Sequence, residues 1–312
     1  MLFPSKIILF IISCLDKFLL IRYFSMISIL QLLPFLFLLQ HFSKYTIYNP
    51  FKELFPFIIY LFIYTSMEAN HHQSEGQKIL KKYLSIFVSS ILSGFCITIG
   101  ASALLSIRAN SPYLGSALFG IGLFTIIHFK LWLYTGKVGA VLDNKPSYFL
   151  DLLVCVLGNF LGDFALAHII KLSRKGNVLQ EQARILYEEK HNDGVGSIFI
   201  LAFMCGIMIY LAVKGHAKCE YPLGKVLFCY LAVIVFILSG HEHCVANVVY
   251  YTYAGKFTAK DFGYLLMMIL GNGVGSIVFD GILKLIDFLN KVDESDKTVK
   301  VTTTMTTEQN LH

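Results

Sequence analysis

A long apolar segment in the last third of the chain is interrupted by two histidines and a glutamate. His241, Glu242 and His243 follow an uncharged run at residues 226–238 and precede a second one at residues 248–254. A segment of this length crosses a bilayer, where ionisable side chains are costly. Irregular backbone at membrane depth persists only where it is buried in protein or lines a wet cavity. The interruption therefore predicts a functional site inside a membrane, with His243 as its first candidate residue.

Composition places the whole chain in the membrane class. Of its 312 residues, 56% are hydrophobic and only 15% are charged, whereas soluble domains carry about 25% charged residues. The net charge of +6 is spread over short loops and termini, which fits membrane orientation rather than nucleic-acid binding. We therefore predict an all-α polytopic membrane protein with no nucleic-acid partner.

Apolar segments recur along the chain and predict six membrane spans, with both termini of this domain on one side. The predicted spans cover residues 83–106, 114–142, 148–172, 195–213, 224–254 and 261–290. They define a six-span domain at residues 67–292, followed by a disordered tail at residues 293–312. Residues 1–66 form an apolar N-terminal extension, which is either an appendage or mistranslated upstream sequence. Within it, residues 24–42 and 54–66 are each compatible with a helix at the membrane.

Two of the predicted spans are interrupted, and a sequence repeat links them. The second span contains a polar break at residues 129–137, and the fifth contains the break at residues 240–247. The Leu-Gly-Asn-x-x-Gly motif at residues 157–162 recurs 113 residues later, and Lys130 and His243 each precede its asparagine by 29 residues. This pattern predicts two inverted three-helix repeats, each with a broken helix around a midplane site. The alternative is a chance similarity between glycine-rich helices whose small residues serve packing.

The histidines do not indicate a metal centre or an enzyme. His241 and His243 are two residues apart, so on a helix their side chains point roughly 200° apart and cannot share a ligand. The sequence around them offers no further metal ligands and no nucleophile. We therefore predict no catalytic residues, no metal and no cofactor. His243 can equally be a core histidine that bonds a carbonyl oxygen.

Two motifs resemble the formate–nitrite transporter family, and the likeness extends over residues 77–290. They are Gly-His-Glu-His-x-x-Ala-Asn at residues 240–247 and Leu-Tyr-Thr-Gly at residues 133–136. The resemblance implies a six-span, aquaporin-like protomer that assembles as a homopentamer. It also implies that Thr135 is the loop threonine that approaches the central histidine, His243.

The same resemblance assigns further pore residues. Phe119 and Phe236 correspond to aromatic residues of the constrictions, and Leu123 corresponds to an aliphatic one. Tyr134 is the aromatic residue of the loop, and Lys190 is the basic residue of the outer vestibule. Tyr134 stands where the family usually has phenylalanine. Simpler roles compete with these assignments, because the phenylalanines can be core aromatics, Lys190 a solvated loop charge and Thr135 a residue bonded to its own helix.

Two positions depart from the family pattern. Trp132 stands where an acidic residue is usual, and Gly206 stands where an asparagine is expected in the fourth span. Trp132 is expected to serve as an interfacial anchor or a packing residue. Gly206 would permit a wider or less selective pore, which makes lactate-sized substrates conceivable.

These patterns together predict a transmembrane channel or transporter for small monovalent weak-acid anions, with formate as the first substrate and lactate as a larger candidate. Transport is expected to be linked to protons, because a bare carboxylate is costly in an apolar passage and is neutralised instead, here near His243. A nitrite or hydrosulfide channel, or a membrane scaffold of the same fold without transport, is the alternative. Protons and membrane lipid are the further expected partners, and the expected location is the plasma membrane.

Overall fold

The computed structural model describes the backbone of residues 75–309 and the side chains of residues 75–291. All of these residues belong to the second of two units in the chain, Tyr64–His312. The predicted N-terminal extension at residues 1–66, with its two apolar segments, lies outside the described residues.

Nine α-helices make up the described part of the chain, which contains no strand. In chain order they are α1 (Glu75–Ile107), α2 (Pro112–His128), α3 (Tyr134–Lys137), α4 (Tyr148–Lys171), α5 (Gly176–His191), α6 (Val195–Lys218), α7 (Pro222–Leu238), α8 (Cys244–Ala254) and α9 (Ala259–Gln309), with a 3₁₀ helix, Val138–Asp143, directly after α3. Four of them, α1, α4, α6 and α9 up to Lys291, are long and apolar enough to cross a membrane. The prediction of an all-α membrane protein is therefore confirmed.

The two remaining predicted spans are each divided into short helices. Residues 114–142 form α2, α3 and the 3₁₀ helix, and residues 224–254 form α7 and α8. Both α2 and α7 begin with a proline in the first turn, where its fixed φ and missing N–H suit a helix start. The order of a long helix, a divided segment and a second long helix thus occurs on either side of α5.

Both divided segments turn in the same way between their two helices. Three residues after the first helix, a backbone N–H donates back to a carbonyl oxygen of that helix at 2.9 Å. The donor is Leu131 in one segment and His241 in the other. One residue earlier the backbone is left-handed, with a φ of 55° at Lys130 and 69° at Gly240. Lys130 therefore matches Gly240, and His243 is matched by Leu133, since each caps the second short helix. The equal 29-residue spacing in the sequence pairs Lys130 with the wrong residue.

Glycines allow the long helices to touch backbone to backbone. A Cβ at Gly94 of α1 would overlap the carbonyl oxygen of Asn159 on α4, and a Cβ at Gly206 of α6 would overlap that of Asn272 on α9. The interpretation of Gly206 as a pore-widening substitution is therefore wrong. This position lies in a helix contact, and an asparagine side chain there would require α6 and α9 to move apart.

The amphipathic helix α5 connects the two halves. Its buried residues Leu179, Ala183, Tyr187 and Lys190 recur at intervals of three or four, which places them on one helical face. This face packs mainly against α8. Lys190 is thereby brought to the second interruption.

The last helix extends beyond its membrane-length part. The backbone of α9 is helical through Gln309, although the sequence predicts a disordered tail from residue 293. A helix that is already formed can add residues without a second nucleation cost.

Candidate functional site

His243 and Thr135 meet between the two interrupted segments. Thr135 Oγ1 lies 2.8 Å from His243 Nε2, and the two residues are 1% and 2% exposed. His243 caps α8 and Thr135 is the second residue of α3. The histidine thus bonds a hydroxyl rather than a carbonyl oxygen, and the threonine bonds the histidine rather than its own helix.

The hydrogen bonds of His243 determine which ring nitrogen carries the proton. Nδ1 accepts the backbone N–H of Ala246 at 3.1 Å, so it presents a lone pair and carries no hydrogen. The neutral ring then holds its hydrogen on Nε2 and donates it to Thr135 Oγ1. The hydroxyl hydrogen of Thr135 is left to donate to another acceptor.

Buried apolar side chains lie against the His243 ring. The Phe236 ring centroid is 5.9 Å from that of His243, and Phe119 meets Phe236 edge-to-face at 5.9 Å. Leu123 follows Phe119 by one helical turn on α2, and all three apolar residues are buried. Phe236 thus lies between His243 and Phe119, and all three residues predicted as constriction residues are buried.

Tyr134 makes contacts with the long helices. Its hydroxyl donates to the carbonyl oxygen of Ile269 on α9 at 3.0 Å, and its N–H donates to Asn159 Oδ1 on α4 at 2.9 Å. These bonds tie the start of α3 to both helices. Tyr134 thus has a structural role in addition to its predicted role in the pore.

Lys190 lies buried beside the residue that precedes His243. Its Nζ is 2.6 Å from Glu242 Oε2, and Lys190 and Glu242 are 9% and 3% exposed. Asn247 Nδ2 donates to the same carboxylate oxygen at 2.8 Å. The alternative of a solvated loop charge is therefore wrong for Lys190. Glu242 thus neutralises the positive charge of Lys190 that was predicted for the outer vestibule. The sequence did not identify these two residues as partners.

A second polar cluster fixes the end of α5 that carries Lys190. His191 Nδ1 lies 2.8 Å from Asp261 Oδ1, and the Tyr187 hydroxyl donates to Asp261 Oδ2 at 2.9 Å. Thr258 donates its N–H and its hydroxyl to that same Oδ2. Burial, and then the bond to Asp261, raises the pKa of the Tyr187 phenol to about 12, so the phenol stays a donor at neutral pH. The cluster joins α5 to the start of α9 and thereby positions Lys190.

Asn159 satisfies the backbone of the first interruption. Its Oδ1 accepts the N–H of Tyr134, and its Nδ2 donates to the carbonyl oxygens of Trp132 and Ser90, with all three bonds at 2.9 Å. Irregular backbone inside a helix bundle needs such partners, because it lacks the bonds that a helix makes for itself. One side-chain amide thus replaces the missing turn.

Asn272 makes the corresponding bonds at the second interruption. Its Oδ1 accepts the N–H of Cys244 at 2.9 Å, and its Nδ2 donates to the carbonyl oxygens of Glu242 and Ala202 at 2.8 Å. The asparagine of the repeated Leu-Gly-Asn motif therefore has the same function in both copies. The sequence identified the repeat, but these bonds became visible only in the fold.

The described part of the chain places hydrogen-bonding side chains beside buried aromatic rings. No group of three or more His, Cys, Asp or Glu side chains among the described residues is placed to hold a metal ion. The contact between Thr135 and His243 can donate hydrogen bonds to an acceptor and orient it. Such a site suits binding and passage of a small polar solute.

Comparison with known proteins relates this architecture to membrane channels. A family model described as Formate/nitrite transporter matches residues 66–286. The uncharacterized transporter YrhG of Bacillus subtilis is 27% identical over 251 residues, which cover 72% of this chain and 93% of the relative. Formate channel FocB of Escherichia coli is 25% identical over 196 residues, which cover 55% of this chain and 67% of the relative.

A solved structure has the same fold. It is a pentameric formate channel with formate bound, with a TM-score of 0.59 and 23% sequence identity. The match covers 67% of this chain and 98% of that one. Nearly the whole of the solved channel thus has a counterpart here.

Proposed function

The chain belongs to the formate/nitrite transporter family, and we propose that it conducts small monovalent weak-acid anions, with formate as the leading substrate. Family membership supports a membrane anion channel rather than an enzyme. The observation that carries the proposal is the 2.8 Å contact between Thr135 Oγ1 and His243 Nε2. This contact places a polar donor beside buried aromatic rings, where a passing anion most needs one.

Desolvation is the physical problem that the site must solve. An unpaired carboxylate moved into an apolar layer loses hydration worth several kcal/mol, even after relaxation. Phe119, Leu123 and Phe236 are buried and cannot replace that hydration. The anion therefore takes up a proton before it crosses the layer and passes as the neutral acid. Transport is consequently proton-linked and electroneutral.

The tautomer of His243 suggests how the pair acts on the anion. The ring donates from Nε2 to Thr135, whose hydroxyl hydrogen points on to the anion. A doubly protonated ring would set two N–H groups against each other at Nδ1, because Ala246 already donates there. His243 and Thr135 thus orient and stabilise the anion. The proton is taken up from hydronium of the bulk solution at the mouth of the passage and is released on the other side when the neutral acid ionises again.

The ion pair of Lys190 and Glu242 supports the same site from behind. Glu242 directly precedes His243, and its carboxylate is held by Lys190 at 2.6 Å and by Asn247 at 2.8 Å. This network fixes the backbone from which the histidine projects and adds no net charge beside the passage. Lys190 is therefore proposed as a positioning residue as well as a vestibule residue.

Assembly and location complete the proposal. Each divided segment is taken as one broken span, so the protomer has six spans in two inverted halves. Many large apolar side chains face outward, among them Leu92, Ile99, Leu118, Leu153 and Val235, and these suit contact with lipid or with neighbouring copies. We propose a homopentamer in the plasma membrane, in line with the pentameric formate channel that shares the fold.

Uptake of labelled formate into proteoliposomes under an imposed pH gradient tests the function. Wild type should take up formate faster as the external pH falls, because protonation of the anion is part of passage. His243→Ala should lower uptake about 100-fold, which is the scale for removing a preorganised donor. His168→Ala is the matched control, because that ring bonds a carbonyl of its own helix.

The outcomes distinguish the candidate functions. Acid-stimulated formate uptake that His243→Ala abolishes supports the proposal. Uptake of nitrite or hydrosulfide in place of formate would favour the alternative anions, and no uptake by a folded oligomer would favour a scaffold. Lactate loses its support, since Gly206 lies in a helix contact.

A further inference from the structure

The two interruptions have the same backbone geometry but differ in their charged residues. Glu242 lies two residues before the first residue of α8, and Trp132 lies two residues before the first residue of α3. Three residues after those first residues, Asn247 and Lys137 stand at matching positions. The carboxylate and amide of the second interruption are thus replaced at the first by an indole and an ammonium.

At the second interruption the charges cancel. The carboxylate of Glu242 accepts from the Lys190 ammonium at 2.6 Å and from the Asn247 amide at 2.8 Å. One cation and one anion lie in direct contact there. The donors of Lys190 are accordingly committed to a protein acceptor.

At the first interruption the ammonium stacks on an aromatic ring. Lys137 Nζ lies 5.1 Å from the ring centroid of Trp132, and that ring is 6.3 Å from the ring of Tyr148. No carboxylate among the described side chains forms an ion pair with Lys137. An indole face attracts the cation but leaves its three N–H donors for another acceptor.

This cluster is only partly buried. Lys137, Trp132 and Tyr148 are each half-buried, and Tyr148 is the first residue of α4. Lys137 lies at the start of α4, where Tyr148 donates its hydroxyl to the Lys137 carbonyl oxygen at 3.0 Å. Lys190 lies instead behind α8, in contact with Glu242.

We propose that Lys137 and Trp132 form a second binding site for the transported anion, at the first interruption and separate from Lys190 at the second. The ligand class, a small monovalent carboxylate or oxyanion, rests on the proposed function. Lys137 supplies the charge and the N–H donors, and the flat face of Trp132 holds the ammonium in place. Lys137 is two residues beyond Thr135 on α3, so the site gathers the anion next to the pair formed by Thr135 and His243.

Fluorescence tests this site directly, because Trp132 is the single tryptophan of the chain. The full-length protein in detergent is titrated with iodide, an anionic quencher, and with acrylamide, a neutral one. Lys137 should concentrate iodide at the indole, so Lys137→Met should lower the iodide quenching constant about threefold and leave that of acrylamide unchanged. Formate at constant ionic strength should displace iodide from wild type but have no such effect in Lys137→Met.

Two further variants serve as controls. Lys137→Arg keeps the charge and the stacking and should behave as wild type. Lys145→Met removes an exposed lysine from the loop just before α4 and should leave both quenching constants unchanged. Equal iodide quenching in wild type and Lys137→Met would overturn the site. A parallel fall with both quenchers would also overturn it, because it would reflect altered exposure of the indole.

Transport separates this site from the proposed function. In proteoliposomes Lys137→Met should raise the formate concentration for half-maximal uptake about tenfold, with little change in the maximal rate, because long-range attraction and capture are lost. An unchanged half-maximal concentration would count against the site. If wild type carries no formate, the proposed function fails, whereas the difference in iodide quenching still decides for or against the site at Lys137.

Discussion

Lys190 Nζ lies 2.6 Å from Glu242 Oε2, and this ion pair is buried directly behind the histidine that caps α8. The two residues are 52 positions apart in the sequence. Two charges taken out of water together are stable only while each retains its partner. The pair therefore couples the position of α5 to the geometry of the second interruption.

Removing one member of this pair should cost more stability than removing both. Lys190→Met leaves the Glu242 carboxylate buried and unpaired, so the free energy of unfolding should fall by about 3–5 kcal/mol. The double variant Lys190→Met/Glu242→Gln should recover most of that loss. Denaturation of the detergent-solubilised protein measures both effects.

A surface pair provides the control for that comparison. Lys78 and Glu75 are 58% and 86% exposed, so Lys78→Met should change the unfolding free energy by less than about 1 kcal/mol. A double variant as unstable as Lys190→Met would contradict the proposed coupling.

Asn272 should be intolerant of the nearly isosteric change to aspartate. In Asn272→Asp the two donated bonds become contacts between a carboxylate oxygen and the carbonyl oxygens of Glu242 and Ala202. Each buried carbonyl left without a donor costs about 1–3 kcal/mol, and charge repulsion adds to this cost. Thermal unfolding should show a clear loss for Asn272→Asp and little change for Asn144→Asp on the exposed loop. Equal melting temperatures would argue against the capping role of Asn272.

Two glycines of α6 should respond in opposite directions to a methyl group. Gly206→Ala places a Cβ against the Asn272 carbonyl oxygen, and such overpacking costs about 1–3 kcal/mol. A Cβ at Gly196 would meet nothing within 4 Å, so Gly196→Ala should be neutral or stabilise by up to about 1 kcal/mol. Unfolding free energies of the two variants provide the measurement, and a stable Gly206→Ala protein would show that α6 and α9 can separate.

Thr135 should be required for its hydroxyl rather than for its shape. Thr135→Val keeps the volume but removes the hydrogen-bond donor and acceptor next to His243 Nε2, so formate uptake should fall about 10- to 100-fold. Thr135→Ser retains the hydroxyl and should retain most of the uptake. Initial rates in proteoliposomes, normalised to the amount of folded oligomer, are the readout. Wild-type rates in Thr135→Val would remove the threonine from the proposed mechanism.

Local sequence patterns were sufficient to predict the membrane class and the approximate positions of the helices. A bilayer excludes unpaired backbone and most charges, so apolar length and the polar breaks at residues 129–137 and 240–247 carry that information directly. The break at residues 240–247 pointed to His243, whereas Thr135 was assigned only through the family resemblance. Family resemblance supplied their expected partnership, which no local pattern contains.

Contacts between residues far apart in the chain were beyond such patterns. Hydropathy marked Lys190 as a charge near a loop, yet its burial depends on Glu242, which another segment supplies. Gly206 was read as a missing side chain, whereas close packing of α6 on α9 requires its absence. Hydrogen bonds and packing act over a few ångströms between segments that only the folded chain brings together, so the ring proton of His243, the capping by Asn159 and Asn272 and the stacking of Lys137 on Trp132 followed from the tertiary arrangement alone.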